Sequence, residues 1–135
     1  VTSDVKIRKS VRQDVDAIVR LINAGGPGGK SRRELPDVLP QTYMQAFEII
    51  DSDASHFLMV AEQDQTIVGT LQLSFLTYLA AEGRPDAQIE AVHVAANYRR
   101  QGIGTMMLQW AIGEADKRNC RHPTALGELI TSLIR

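Results

Sequence analysis

The middle of the chain constrains the fold most, because three strand-like runs follow one another there with only turn chemistry between them. His56 to Glu62 reads as the first run, and Gln63-Asp64-Gln65 as its turn. Thr66 to Tyr78 is a long run rich in β-branched and apolar residues. Glu82-Gly83-Arg84-Pro85 marks a second turn, and a third strand extends from about Ala87 to Ala95. Strands joined this tightly fold back as an antiparallel meander. Helical periodicity brackets them. Val11, Val15, Ile18 and Ile22 recur at helical spacing, with Asp14 and Asp16 near the start, where acids suit the dipole. Tyr43, Phe47 and Ile50 give a second helix that ends near Asp51-Ser52-Asp53. Ile103, Met106, Met107, Trp110 and Ala111 form an apolar stripe within a third, Gly102 to Lys117. Val5, Ile7 and Lys9 alternate with Lys6 and Arg8, which predicts a short opening strand. The expected order is β-α-α-β-β-β-α, a mixed α+β domain.

With 135 residues and 44% hydrophobic content, the chain makes one domain with a real core. Its apolar stretches fall far short of a membrane span, and Val1-Thr2-Ser3-Asp4 does not read as a signal peptide. Cys120 is the single cysteine, so no intrachain disulfide forms and a reducing, cytoplasmic setting is expected. A net charge of −1 and the lack of a helix-turn-helix argue against a nucleic-acid partner. His56, His93 and His122 are scattered and Cys120 has no ligand partner at useful spacing, so no metal is expected. Cys120, at a helix end, reads as packed rather than as an acyl carrier.

The small net charge hides a segregation. Residues 1–35 carry +4, residues 36–96 carry −8, and residues 97–135 carry +3. Either solvated faces segregate by chance, or a basic zone meets an anionic ligand and an acidic zone a cationic one.

Two glycine loops invite a phosphate reading. Ala24-Gly25-Gly26-Pro27-Gly28-Gly29-Lys30-Ser31 fits a relaxed Walker A pattern. That chemistry needs a strand before the loop and a helix after it. Here a helical segment precedes it and Pro36 limits any helix starting at Lys30, so it reads as a loop between helices. The second loop has the required context. The strand Ile89-Glu90-Ala91-Val92-His93-Val94 leads through Ala95-Ala96-Asn97-Tyr98 to Arg99-Arg100-Gln101-Gly102-Ile103-Gly104-Thr105 and then a helix. Glycines let a ligand approach the backbone, and a helix start offers unpaired amides and a positive dipole end to a pyrophosphate. Without a ligand, the same residues would make a tight strand-to-helix turn with solvated arginines.

Arg99-x-x-Gly102-x-Gly104 resembles the R/Q-x-x-G-x-G/A motif of the GNAT superfamily, the acetyl-CoA-dependent N-acetyltransferases. The Ile-Glu-x-Val-x-Val strand, the opening Ile-Arg strand with its Asp-rich first helix, and the meander fall in family order. The resemblance covers residues 5 to about 120. It is nearest to small bacterial members with a Leu-Pro…Tyr…Ala-Phe second helix, here Leu39-Pro40, Tyr43 and Ala46-Phe47. It implies a GNAT-like fold that binds acetyl-CoA and acetylates a small-molecule amine. By the same resemblance, the backbone of Val92 and Val94, with His93 between them, would hold the pantetheine arm. Amides of Arg100, Gln101, Gly102, Ile103, Gly104 and Thr105 would bind the pyrophosphate, with Arg99 and Arg100 near phosphates. Glu90 matches an acidic position that faces the acceptor amine, and it would take the proton an ammonium must lose before attack. It also reads as an edge carboxylate without catalytic duty. Strict alternation puts His93 on the face opposite Glu90, which makes its ring a bystander.

The resemblance stops near Cys120. Family domains continue with a fifth strand and an Asp-Ala-x-x-Phe-Tyr helix whose tyrosine can protonate the leaving thiolate. Here Pro123 ends any strand begun at Cys120, and Leu126, Leu129, Ile130, Leu133 and Ile134 form a helical stripe. All three tyrosines precede the glycine loop. The expected division is therefore a GNAT-like domain over 1–120 and an atypical helical tail over 121–135. The tail is either a frameshift or truncation product or a substitute that docks on the exposed fourth strand or on a second subunit. A homodimer through the tail or that strand is expected. The alternative function is an acyl-CoA-binding or regulatory protein without turnover.

Overall fold

The computed structural model describes residues 4–24 and 33–121. Its elements are β1 (Lys6–Lys9), α1 (Val15–Asn23), α2 (Gln41–Ser52), β2 (His56–Gln63), β3 (Thr66–Leu76), β4 (Asp86–Val94) and α3 (Ile103–Lys117). The observed order is the expected β-α-α-β-β-β-α. The four strands form one antiparallel sheet in chain order, β1-β2-β3-β4. The expected tail helix falls on 122–135, outside the described residues, as do residues 25–32 of the expected glycine loop.

Alternation along β3 places Leu71, Leu73 and Phe75 on one face, with Met59 of β2 and Ile89 of β4. Against them pack Ile103, Met107, Leu108, Ala111 and Ala115 of α3. Each large side chain buried here contributes about 1.5–3 kcal/mol. Gly69 allows the helix to come this close: a Cβ there would lie 2.9 Å from Met107 Cε and 3.3 Å from Ala61 Cβ. The buried stripe is shifted from the expected one. Met106 is 40% exposed, whereas Leu108 is buried. At about 100° per residue, Met106 sits roughly 140° from the centre of the buried set, and Trp110 lies at its half-buried edge.

On the other face, α1 packs over β3 and β4 and α2 over β2. Val15, Val19 and Phe47 are buried there beside Leu58 of β2. Val11 is extended and exposed and precedes the helix, so it is not the first residue of the apolar stripe.

Asp14 does more than complement a dipole. Arg8 grips its carboxylate with two bonds, Nη1 to Oδ2 at 2.7 Å and Nη2 to Oδ1 at 3.0 Å. The same guanidinium reaches Glu62 at 3.3 Å, and Asp14 Oδ2 accepts the Val11 amide at 2.8 Å. One buried carboxylate thus joins β1, β2 and the entry to α1.

Past α3 the chain turns back beside the start of β4. Arg118 lies over the rings of Phe57 and Phe75, at 4.7 and 4.4 Å from their centroids. Arg84 donates to the carbonyls of Asn119 and Cys120, and the Arg121 amide donates to the Pro85 carbonyl at 2.9 Å. The Arg121 guanidinium lies 2.8 Å from Asp86 Oδ1, an ion pair out of hydrogen-bond alignment. Cys120 is buried, and that burial pushes its thiol pKa up, away from the reactive thiolate.

The Arg8 guanidinium holds the Asp14 carboxyl below the usual carboxylate range. A depressed folded-state pKa contributes stability that is full above the unfolded value of about 4 and is lost as pH falls through the lower folded value. Denaturant melts should therefore show Asp14→Asn about 1–3 kcal/mol less stable than wild type at neutral pH. The gap should narrow in acid below the unfolded value. Parallel profiles down to the most acidic point would contradict the role given to Asp14.

Candidate functional site

The site is built on β4, and its decisive feature is one extra residue. Thr70 pairs with His93 and Gln72 with Glu90, so two steps on β3 face three on β4. The bulge contains Ala91, a non-glycine residue at φ +53°. A bulge leaves its extra residue outside the ladder, so its backbone groups are free for other partners. It also resets the alternation. Thr70 and Gln72 share a face, so their partners His93 and Glu90 share it too, the face on which α1 and α2 pack. The expectation that His93 points away from Glu90 is corrected by this register. The sheet ends at β4, whose outer edge pairs with no strand among the described residues.

His93 is half-buried. Burial first, and the charge of Arg99 second, lower its pKa, which keeps the imidazole neutral near pH 7. Glu90 is exposed, and the side-chain amide of Gln88 donates to its Oε1. Val92 and Val94 pack against the α3 core, and Val94 pairs with Gly69.

After β4, a short turn at Ala96–Tyr98 leads into two left-handed residues, Arg100 at φ +66° and Gly102 at φ +82°. Gly102 caps α3, and no side chain bonds into the cap. The first intrahelical bond described here runs from the Met106 amide to the Gly102 carbonyl, at 3.0 Å. The amides of Ile103, Gly104 and Thr105 therefore lack intrahelical acceptors and lie at the positive end of the dipole. The Ile103 side chain roots this turn in the core. A Cβ on Gly102 would meet nothing within 4 Å, so backbone conformation rather than space calls for glycine there. A Cβ on Gly104 would make only an ordinary contact, 3.7 Å from Val94 Cγ2.

The two arginines divide their work. Arg99 turns back, and its Nε donates to the Val94 carbonyl at 3.1 Å, tying the loop to the end of β4. Arg100 and Gln101 are exposed beside the uncapped helix start. Four polar side chains that motif reading passed over share the Glu90 face: His56, Gln72, Ser74 and Gln88. The signal for them was Gln72-x-Ser74, two polar residues at strand spacing inside an apolar run.

A cavity of about 330 Å³ lies elsewhere, lined by Arg20, Asn23, Ala24, Arg33, Glu34 and Leu35, and it includes none of the expected site residues. Arg20 is already tied to Asp16 and to the carbonyls of Pro36 and Asp37. Among the described residues, no group of three or more His, Cys, Asp or Glu side chains could hold a metal. No described helix is long and apolar enough to cross a membrane.

The family model described as acetyltransferase (GNAT) family matches residues 28–128. The chain belongs to the GNAT acetyltransferase family. Among solved structures, this GNAT protein resembles a transcriptional regulator from Bacillus halodurans C-125, at 35% identity and a TM-score of 0.77. That match covers 87% of this chain and 78% of the other. An Agrobacterium tumefaciens putative acetyltransferase superposes at a TM-score of 0.74, with 23% identity over 93% of this chain and 91% of that one. A Clostridium acetobutylicum predicted acetyltransferase with acetyl-CoA shares the fold at a TM-score of 0.64 and 18% identity, covering 87% and 77% of the two chains. No curated protein matches the chain.

The two glycines should respond differently to substitution. Gly102→Val forces a β-branched residue to φ +82° and should lower stability by about 1–2 kcal/mol or more. Gly104→Ala adds a helix-favouring methyl in ordinary contact and should be neutral to slightly stabilising. Thermal melts of the two variants check this, and equal losses would contradict it.

Proposed function

We propose that this GNAT protein transfers an acetyl group from acetyl-CoA to a small amine by direct attack. The observation that carries the reading is the arrangement of β4. An uncapped helix start lies just past one end of its open edge, and a bulge interrupts the ladder three residues before that end. The amides of Arg100, Gln101, Gly102, Ile103, Gly104 and Thr105 would hold the pyrophosphate, with Arg100 adding charge. The backbone of Val92, His93 and Val94 would pair with the pantetheine arm as a neighbouring strand does. Arg99 would act mainly by fixing the Val94 end of that edge. At about 3.3 Å per residue, the bulge lies roughly 10 Å back from Val94, where its free amides would polarise the thioester carbonyl.

On the adjoining face, Glu90 would take a proton from the acceptor's ammonium, directly or through water. The neutral His93 ring on the same face supplies a second proton acceptor. The amine nitrogen then bonds to the acetyl carbon, the carbon–sulfur bond breaks, and the thiolate leaves with the electron pair. A thiol pKa of about 8.5 makes that thiolate a tolerable leaving group, so turnover does not require a tyrosine acid. The second proton, shed by the acylated nitrogen, would pass directly or through water to the thiolate and complete the thiol, while Glu90 returns the first to solvent.

The 35% identity to a transcriptional regulator favours a second reading, in which the chain binds acyl-CoA and signals without turnover. A thiol-release assay with acetyl-CoA and an amine panel separates the two. The enzyme reading expects release with at least one amine. Glu90→Gln should lower kcat by about 100-fold with the KM for acetyl-CoA nearly unchanged. Binding of acetyl-CoA with no release from any amine would favour the regulatory reading.

The division into a domain over 1–120 and a tail over 121–135, and self-association through the tail or β4, belong to the same proposal. The open edge of β4 supports the second of these. Light scattering at high protein concentration should give twice the monomer mass. A monomer there would contradict it.

A further inference from the structure

The face of the sheet that carries Glu90 bears a polar block on two adjacent rungs. His56, Ser74 and Gln88 lie on one rung across β2, β3 and β4, and Leu58, Gln72 and Glu90 on the next. The polar members are wired together. Ser74 Oγ lies 2.7 Å from His56 Nδ1, and Gln72 Nε2 donates to the same oxygen at 3.3 Å. Which of Ser74 Oγ and His56 Nδ1 donates follows the ring tautomer, and the other ring nitrogen is Nε2. That nitrogen faces Asp53 Oδ2 at 3.5 Å. Gln88 closes the other end by donating to Glu90.

The charge pattern narrows what such a surface can recognise. Asp53 lies beyond the rungs, exposed, with its Oδ1 accepting the Ser55 amide at 2.8 Å and the Ser55 hydroxyl at 2.6 Å. Glu90 is the carboxylate of the two rungs themselves, beside four polar side chains that both donate and accept. An alkyl polyamine reaching from Glu90 to Asp53 would pair its charges and return no hydrogen bonds to the side chains between them. A purely apolar amine would strip water from Gln72 and Gln88 and return no hydrogen bonds. Rungs two residues apart lie about 7 Å from each other and neighbouring strands about 4.8 Å, so the block has the footprint of a six-membered ring with substituents. Glu90 also stands next to the bulge, so an amine held by it lies at the reacting end.

We propose that His56, Gln72, Ser74 and Gln88 form the floor of the acceptor site, and that the acceptor is a primary amine bearing several hydroxyl groups. This rests on the acetyl-transfer reading and names the substrate class for that same site. His56 and Ser74 act as positioning residues: they fix the direction in which Gln72 and the hydroxyl present their remaining donors and acceptors.

Calorimetry on the full chain loaded with CoA tests this, with glucosamine and cyclohexylamine as probes of equal ring size that differ in hydroxyls. Glucosamine should bind at least about tenfold more tightly. Gln88→Ala and Ser74→Ala should each weaken glucosamine about five- to tenfold and leave cyclohexylamine unchanged. Gln88 is exposed, so its variant keeps the test decisive if the buried Ser74 variant does not fold. Equal affinities for the two amines, or equal losses for both, would overturn the proposal. Selective glucosamine binding with no thiol release would sustain the floor and count against acetyl transfer alone.

Discussion

The extra residue that β4 carries between Glu90 and His93 governs what the rest of the sheet can present. Without it, strict alternation would place the two side chains on opposite faces, and the β4 ladder would run uninterrupted to Val94. With it, a carboxylate and a neutral imidazole share one face while backbone groups leave the ladder beside them. The conformation is costly for alanine, since the left-handed region disfavours a Cβ by about 1–2 kcal/mol. Its persistence depends on flanking pairs that fix the register, Gln72 with Glu90 on one side and Gly69 with Val94 on the other.

Several contacts hold that register in place. Gly69 admits Met107 so closely that α3 has little freedom to slide over β3, and Ile103 anchors the first turn of the same helix in the core. The helix start therefore has a fixed position relative to β4. Arg99 adds a direct tie from the loop to the Val94 carbonyl. At the opposite corner, Arg8 and Asp14 lock the entry to α1, the helix that packs over β3 and β4. The proposed cofactor edge and acceptor face thus depend on packing several residues away from either.

The element order and the glycine loop were readable from the sequence because each has a local cause. Short turns force a meander, and the left-handed cap at Gly102 needs a residue without a Cβ. The bulge was not readable, because Ala91 carries no glycine or proline to mark it and only pairing with β3 reveals it. His93 was misplaced for that reason. Asp14 looked like a dipole acid because its partner Arg8 sits on another element. Gln72 and Ser74 were absorbed into an apolar run because no local signal joins them to His56 across the sheet. Residue spacing alone also puts Met106 in the core, because a stripe counted that way is wider than the face β3 covers.

In the proposed function, the outer edge of β4 and the start of α3 would form a single continuous binding track for acetyl-CoA. Amide-resolved NMR titration with acetyl-CoA tests it most directly. Saturable shifts should concentrate at the amides of Val92 to Val94 and Arg100 to Thr105, with the β1–β2 region unmoved. Shifts confined to the cavity lined by Arg20 and Arg33, or no saturable shifts at all, would contradict it.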